Sequence, residues 1–132
     1  MVRVDHSCID GQGLFAAQDI TKGTKIIAYV GEKITRRESA RRLAAGNAYI
    51  FHLNYRYALD GETLANTARY INHSCDPNCE AVVTMRTIWI VALRDIQAGE
   101  ELSYNYGLTA KQYWCRCGSK QCCGYILDPA YW

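Results

Sequence analysis

The stretch from Ala68 to Cys79, ARYINHSCDPNC, places two cysteines, a histidine and the side chains of Asn72, Asp76 and Asn78 around Pro77. Such a segment is a metal site, a turn or the floor of a pocket, and its own residues do not choose among the three. The nearest partner in chemistry lies near the other end of the chain. There CRCGSKQC sets Cys115, Cys117 and Cys122 in a C-x-C-x4-C spacing. Three thiols this close do not readily pair among themselves, and a fourth would complete the tetrahedral sulfur cage that zinc prefers, with bonds of ~2.3 Å. Gly118 lets the chain turn back between the second and third ligands. On spacing alone the fourth ligand is Cys8, Cys75, Cys79 or Cys123. Four thiolates leave no open coordination position, so the metal would be structural and would not activate water. Its work would be to pin the C-terminal tail.

Bulk properties narrow the field. The chain has 132 residues, enough for one domain with a sizeable core. Apolar residues make up 49% and charged residues 21%, as in ordinary globular folds. A net charge of +2 argues against nucleic acid or a membrane surface as the partner. The longest apolar run, IWIVAL from Ile88 to Leu93, is too short to span a bilayer. The opening MVRVDHSCIDG lacks the apolar core and cleavage site of a secretory signal. Seven cysteines without such a signal point to metal in a reducing, intracellular compartment rather than to disulfides.

Short strands dominate the pattern. EKI, YIFHL, EAVVTM, TIWIVAL and ELSYNY are rich in β-branched and aromatic residues and separated by turns. One helix is legible in TRRESARRLAAG, with Thr35 as N-cap, Glu38 completing a capping box and Gly46 closing it. Ala40, Leu43 and Ala44 share one face, and Arg36, Arg37, Arg41 and Arg42 read as a solvated surface rather than a nucleic-acid patch. DITKGTKIIAYV from Asp19 and DIQAGEELSYNY from Asp95 echo each other, which suggests two similar local hairpins with turns at Gly23 and Gly99. The class is mostly β with minor helix.

Five motifs in order carry a family resemblance. GQGLFA, AYVGE, RYINHSCDPNC, GEELSYNY and CRCGSKQCCGYI span Gly11 to about Ile126. Together they resemble the SET-domain protein lysine methyltransferases that have a post-SET zinc segment. The resemblance implies small β-sheets around a pseudoknot, a SET domain over 1–110 and a post-SET segment and tail over 111–132. It implies S-adenosylmethionine as cofactor and a structural zinc whose fourth ligand is Cys75, beside Cys115, Cys117 and Cys122. Asp10, Gly11, Gln12, Tyr49, Asn72 and His73 are then expected to bind the cofactor, the last two holding its amine and adenine. Tyr106 matches the family's catalytic tyrosine, and Tyr29 is expected to line the lysine channel. Tyr104 matches a position where tyrosine accompanies lower methylation states, and Ala81 a second position that tunes the same pocket, so mainly monomethylation is expected. The chain departs from the family at Cys123, commonly arginine, and Asn105, commonly aspartate. Without a cysteine-rich segment before the SET motifs, it reads as a minimal enzyme with one zinc.

These residue types suit the chemistry implied. Methyl transfer from a sulfonium to an amine is an in-line displacement, so alignment supplies much of the acceleration. The lysine must first lose a proton from a reference pKa of ~10.4, and an aromatic channel favours that loss by desolvation. The expected acceptor is a lysine-bearing protein, a histone tail above all, with no direct nucleic-acid or membrane contact. The expected place is the nucleus in a eukaryote and the cytoplasm in a microbe. Two other functions fit fewer residues: a SET-like module that binds peptide or cofactor without turnover, and a zinc-dependent nucleic-acid protein, which would bind DNA with steep salt dependence.

Overall fold

The computed structural model describes residues 1–84, 87–107, 114–126 and 129–131. The expected boundary at 110/111 and Met85, at the end of one expected strand, lie outside the described residues. Among the described residues are four small sheets and one α-helix, so the mostly β expectation with minor helix holds.

Strand β9 (Ile88–Ala92) shows why the central sheet forms. Ile88, Ile90 and Ala92 are buried, while Trp89 and Val91 between them are only half-buried, the period of two that a strand dictates. It pairs antiparallel with β3 (Lys25–Tyr29) on one side and β8 (Cys79–Val83) on the other. A hairpin of β1 (Val2–His6) and β2 (Gln12–Ala16) brings Leu14 and Ala16 against the same core. The third sheet orders β4 (Glu32–Thr35), β6 (Tyr57–Asp60) and β5 (Ile50–His52). Finally β7 (Asn72–His73) lies parallel to β10 (Ser103–Tyr104), which sets two of the sequence motifs side by side. Asn78, buried beside them, donates to Glu101 O at 2.9 Å and accepts from the Ser103 N–H at 2.9 Å. Leu14, Ile20, Ile71, Ile88, Ile90, Ile96 and Leu102 form the centre of the core. Each stabilises the fold by roughly 1.5–3 kcal/mol of burial.

The echoing segments are not two separate hairpins. They bind one another. Ile20 and Ile96 exchange both backbone hydrogen bonds at 2.8 Å. Asp95 accepts from the Lys22 N–H and Asp19 accepts from the Ala98 N–H, both at 2.8 Å. Gly23 and Gly99, at φ +86° and +93°, then donate to Ala92 O and Ala16 O. Each aspartate therefore satisfies the other segment's turn, and the similarity reflects one interlocked pair.

Helix α1 (Arg36–Ala44) begins at the expected N-cap, with the Thr35 hydroxyl accepting from the Glu38 N–H at 3.1 Å, but the Glu38 carboxylate turns to Arg41 and Arg42 instead of closing a capping box. Its faces are the reverse of the expectation. Ala40, Leu43 and Ala44 are exposed, and the buried residue is Ser39. The cause is Asp60, nearly buried at the end of β6, which draws in Arg42 (2.6 Å) and Asn47 (3.0 Å). Arg36 donates to Asn54 O and Arg41 pairs with Glu38, so three of the four arginines serve the fold. Among the described residues no helix is long and apolar enough to cross a membrane.

Candidate active site and thiol cage

Four aromatic rings line up through the middle of the molecule. Tyr29 lies 5.6 Å from Phe51, Phe51 lies 6.4 Å from Tyr104, and Tyr104 lies 5.0 Å from Tyr106, centroid to centroid. Tyr29 and Tyr104 are buried, and Tyr106 is the accessible end at 36% exposure. The Tyr29 hydroxyl donates to Tyr49 O at 2.9 Å, and the Tyr106 hydroxyl donates to Ile71 O at 2.6 Å. Both phenol hydrogens are thus committed to backbone carbonyls, which leaves oxygen lone pairs as acceptors. Burial, followed by the neighbouring phenols, pushes all three tyrosines well above the ordinary phenol range. At neutral pH they are uncharged. None serves as a base by ionising.

Two residues hold Tyr29 in place. Asn66, fully buried, accepts from the Val30 N–H and donates to Gly61 O, both at 3.0 Å. Gly61 has no alternative there, because a Cβ would stand 2.4 Å from the Tyr29 ring.

The rings open onto a cavity of about 460 Å³. Its wall brings together Asp10, Gly11, Gln12, Tyr29, Tyr49, Asn72, Tyr104 and Tyr106, all singled out from the sequence. Ala81 is not in that wall; it sits in β8 opposite Ile90 and packs against the core. His73 is also outside it, buried behind the rings. The Asn72 amide nitrogen has four acceptors within 3.1 Å: Ser7 Oγ, Asp10 O, Gln12 O and a Glu101 carboxylate oxygen. Two amide hydrogens shared among four acceptors tie the Ser7–Gln12 loop to β7. Glu101 completes the tie by accepting from the Ser7 hydroxyl at 2.8 Å. The same carboxylate explains Gly13, whose Cβ would lie 2.5 Å from a Glu101 oxygen. Gly11 answers to its backbone instead, with φ +46°. Arg69 lies 4.4 Å over the Tyr49 ring and donates to Glu62 O, and its Nε is buried with no hydrogen-bond partner.

Sequence reading missed Asn66, Gly61, Phe51, Arg69, Ser7 and the Glu101 contact. Arg69 and Glu101 stood inside quoted motifs, so the signal was present for those two. The others depend on contacts that no local pattern reports.

The four thiols expected to form a cage do converge. The sulfurs of Cys75, Cys115, Cys117 and Cys122 all lie within 4.8 Å of one another. Cys75 and Cys115 are 3.8 Å apart, close to the edge of a tetrahedron built on ~2.3 Å bonds. Cys8, Cys79 and Cys123 are not in the cluster. Gly118, at φ +75°, makes the anticipated turn, and Trp114 stacks on Tyr125 at 4.8 Å to close the tail on itself. Burial, then the thiols of Cys122 and Cys115, push Cys75 far above the ordinary thiol range, and burial pushes Cys115 up to about 11. For Cys117 burial also raises the pKa, but hydrogen bonds around its sulfur outweigh that and hold it at about 7. Four thiols so placed need a cation in their midst to become thiolates together, and this soft donor set fits zinc.

One side chain touches both assemblies. His73 Nδ1 accepts the Tyr106 backbone N–H at 3.0 Å, and its Nε2 lies 3.5 Å from Cys75 Sγ. The imidazole and Tyr106 rings meet edge to face at 5.3 Å.

Comparison with known proteins follows the same lines. Residues 11–107 match the SET domain family. The chain is 40% identical to "Histone-lysine N-methyltransferase, H3 lysine-4 specific" of Schizosaccharomyces pombe, over 86% of this chain and 14% of that protein. It is 35% identical to the protein of the same name in Aspergillus oryzae, over 95% and 11%. With "Histone-lysine N-methyltransferase ash1" of Drosophila melanogaster it shares 36% identity, over 88% and 6%. The chain spans only a small fraction of the length of these relatives.

Proposed function

The chain belongs to the SET-domain family, and from that premise we propose that it is a protein-lysine N-methyltransferase using S-adenosylmethionine. The observation that carries this reading is the meeting of two features. A row of uncharged tyrosines lines the same cavity as the Asp10–Gln12 loop. The names of the relatives support a histone or another basic protein as acceptor, which would place the protein in the nucleus of a eukaryote.

The cavity suits a zwitterionic cofactor. Arg69 offers a cation on one wall, and the Asp10–Gln12 loop stands on another. Asp10, Gly11, Gln12, Tyr49 and Asn72 would hold S-adenosylmethionine, with His73 behind them and the sulfurs of Cys75, Cys115, Cys117 and Cys122 holding one structural zinc. When bound, S-adenosylmethionine would supply an electrophilic methyl carbon, to which an uncharged amine bonds in line as the methyl–sulfur bond breaks and the neutral thioether leaves.

The chain's own residues prepare that amine. Tyr29, Phe51 and Tyr104 exclude water from the lysine side chain, and desolvation lowers its pKa from ~10.4. The rings themselves carry no negative charge that would stabilise the unreactive ammonium, since burial keeps their phenols protonated. The Tyr106 oxygen, its hydrogen committed to Ile71 O, accepts from an amine N–H and aims the nitrogen lone pair. Tyr29, anchored on Tyr49 O, does the same from the far side. Tyr104, tightly enclosed between Phe51 and Tyr106, limits the room for a methylated amine to turn, which favours monomethylation.

The test is direct. Purified protein, isotopically labelled S-adenosylmethionine and histone peptides are incubated, alongside peptides with arginine at each lysine. Label on one lysine, lost with its arginine replacement, is the expected result. Cofactor binding without transfer to any peptide or basic protein would overturn the reading in favour of a binding module.

A further inference from the structure

The thiol cage and the tyrosine row meet at a single imidazole, and donor accounting fixes its state. A backbone N–H only donates, so the Tyr106 N–H at 3.0 Å requires a lone pair on His73 Nδ1. The neutral ring then carries its hydrogen on Nε2, the atom 3.5 Å from Cys75 Sγ. That hydrogen can only be donated, and a thiolate is the better acceptor and the form a metal ligand takes. One tautomer therefore satisfies both ends, and it is the one that favours Cys75 as a metal ligand.

We infer that His73 is a positioning residue that couples occupancy of the metal cage to the placement of Tyr106. The inference rests on the proposed methyl transfer only where turnover is its readout. Tyr106 lies beyond the end of β10 (Ser103–Tyr104), so its N–H has no strand partner, and the imidazole supplies one. The ring of His73 also meets the ring of Tyr106 edge to face, and the Tyr106 hydroxyl is held by Ile71 O two residues before His73. Three of the contacts that orient Tyr106 thus come from one short stretch. That stretch is itself fixed by pairing with β10 and by the Ser74 N–H on Tyr104 O. His73 is 2% exposed, so its ring cannot tilt at one end without moving the other. A metal in the cage would hold Cys75 Sγ where Nε2 reaches it, and without the metal the imidazole loses the fixed partner that orients it. The metal then acts on turnover by a route separate from holding the tail.

A buried histidine that only fills space makes no distinction between its two nitrogens. Two substitutions make that distinction. In His73→Asn the side-chain oxygen stands near the place of Nδ1 and can accept the Tyr106 N–H, but nothing reaches Cys75. In His73→Gln the amide nitrogen stands near the place of Nε2 and can reach Cys75, but Tyr106 loses its acceptor. The full chain is loaded with cobalt(II) to read sulfur-to-metal charge-transfer bands, or with zinc to read its release to a chelator and the steady-state rate. His73→Asn is expected to shift the bands and to release zinc ~10-fold faster, the scale of a lost outer-shell contact. His73→Gln is expected to keep the bands and the release rate and to lose ~10-fold or more in kcat with the KM for S-adenosylmethionine unchanged. Nitrogen-15 shifts of the zinc-loaded wild-type protein should show hydrogen on Nε2. Hydrogen on Nδ1, wild-type bands and zinc release in His73→Asn, or wild-type kcat in His73→Gln would overturn the coupling. The bands, release rates and shifts need no turnover, so a wild-type protein that transfers no methyl group would sink the proposed function without deciding this one.

Discussion

The tyrosine row and the thiol cage are built by opposite means. In the row, the key polar atoms have partners from the protein itself: Tyr29 on Tyr49 O, Tyr106 on Ile71 O, and Asn66 on Val30 and Gly61. The cage brings four sulfurs within 4.8 Å, and burial makes Cys75 and Cys115 reluctant to ionise. The Tyr29 and Tyr106 hydroxyls are anchored as folded, and the cage would be completed by a cation. The hydroxyl anchors therefore belong to the protein core, while the tail that borders the cavity through Ile126 would depend on the proposed metal.

The largest expected effect breaks the cage. Structural zinc contributes ~10–16 kcal/mol of apparent binding free energy, so chelation or Cys75→Ser should release the 114–126 segment. Hydrogen exchange should rise across that segment and cofactor affinity should fall, while Ile88–Ala92 stays protected. Unchanged zinc content and affinity in Cys75→Ser would remove Cys75 from the cage.

A smaller effect attacks the row from behind. Gly61→Ala drives a methyl group into the Tyr29 ring and the Asn66 amide, and overpacking of this kind costs roughly 1–3 kcal/mol. A lowered melting temperature with zinc content unchanged is expected, and turnover should fall with it. A melting curve identical to wild type would show that Tyr29 is not confined there.

Tyr104→Phe is expected to leave stability nearly unaltered and to change the product. Without the hydroxyl, a methylated amine has room to realign, so di- and trimethyl-lysine should accumulate in intact-peptide mass spectra. An unchanged product distribution would leave the methylation state to other walls of the cavity.

Acid is the mildest probe. Hydrogen bonds from Arg41 and then Arg42 hold Glu38 at about 2, below its ordinary 4.5. For Asp60, burial acts upward, but Asn47 and Arg42 outweigh it and hold the carboxyl below its usual range. A depressed carboxyl pKa stabilises the fold above the unfolded value and loses that contribution as pH falls through the folded one. Stability should therefore decline from about pH 4.5 towards 2, and Glu38→Gln should flatten part of that decline in thermal melts. An identical pH profile in Glu38→Gln would show that the pairing adds nothing.

Legibility from sequence followed the range of the interactions. Local chemistry was readable: the Thr35 cap, the Gly118 turn and the C-x-C-x4-C spacing are all present in the fold. The fourth thiol was not readable from spacing, because Cys75 reaches the other three only through the fold; the family signature identified it. The helix faces were misread because Asp60, sixteen residues beyond the helix, draws Arg42 inward against the apolar pattern. The Asp-Ile-x-x-Gly echo was visible, but similarity between two segments does not reveal that they bind each other. Asn66 and Gly61 carried no local mark, since their roles exist only beside Tyr29.

The account's central claim is that an uncharged tyrosine hydroxyl, held by the protein, positions the amine. Single-turnover transfer by Tyr106→Phe, measured together with S-adenosylmethionine affinity, tests it most directly. A loss of ~10²-fold or more in the transfer rate is expected, with cofactor affinity and melting temperature essentially those of the wild type. Transfer at the wild-type rate would contradict it.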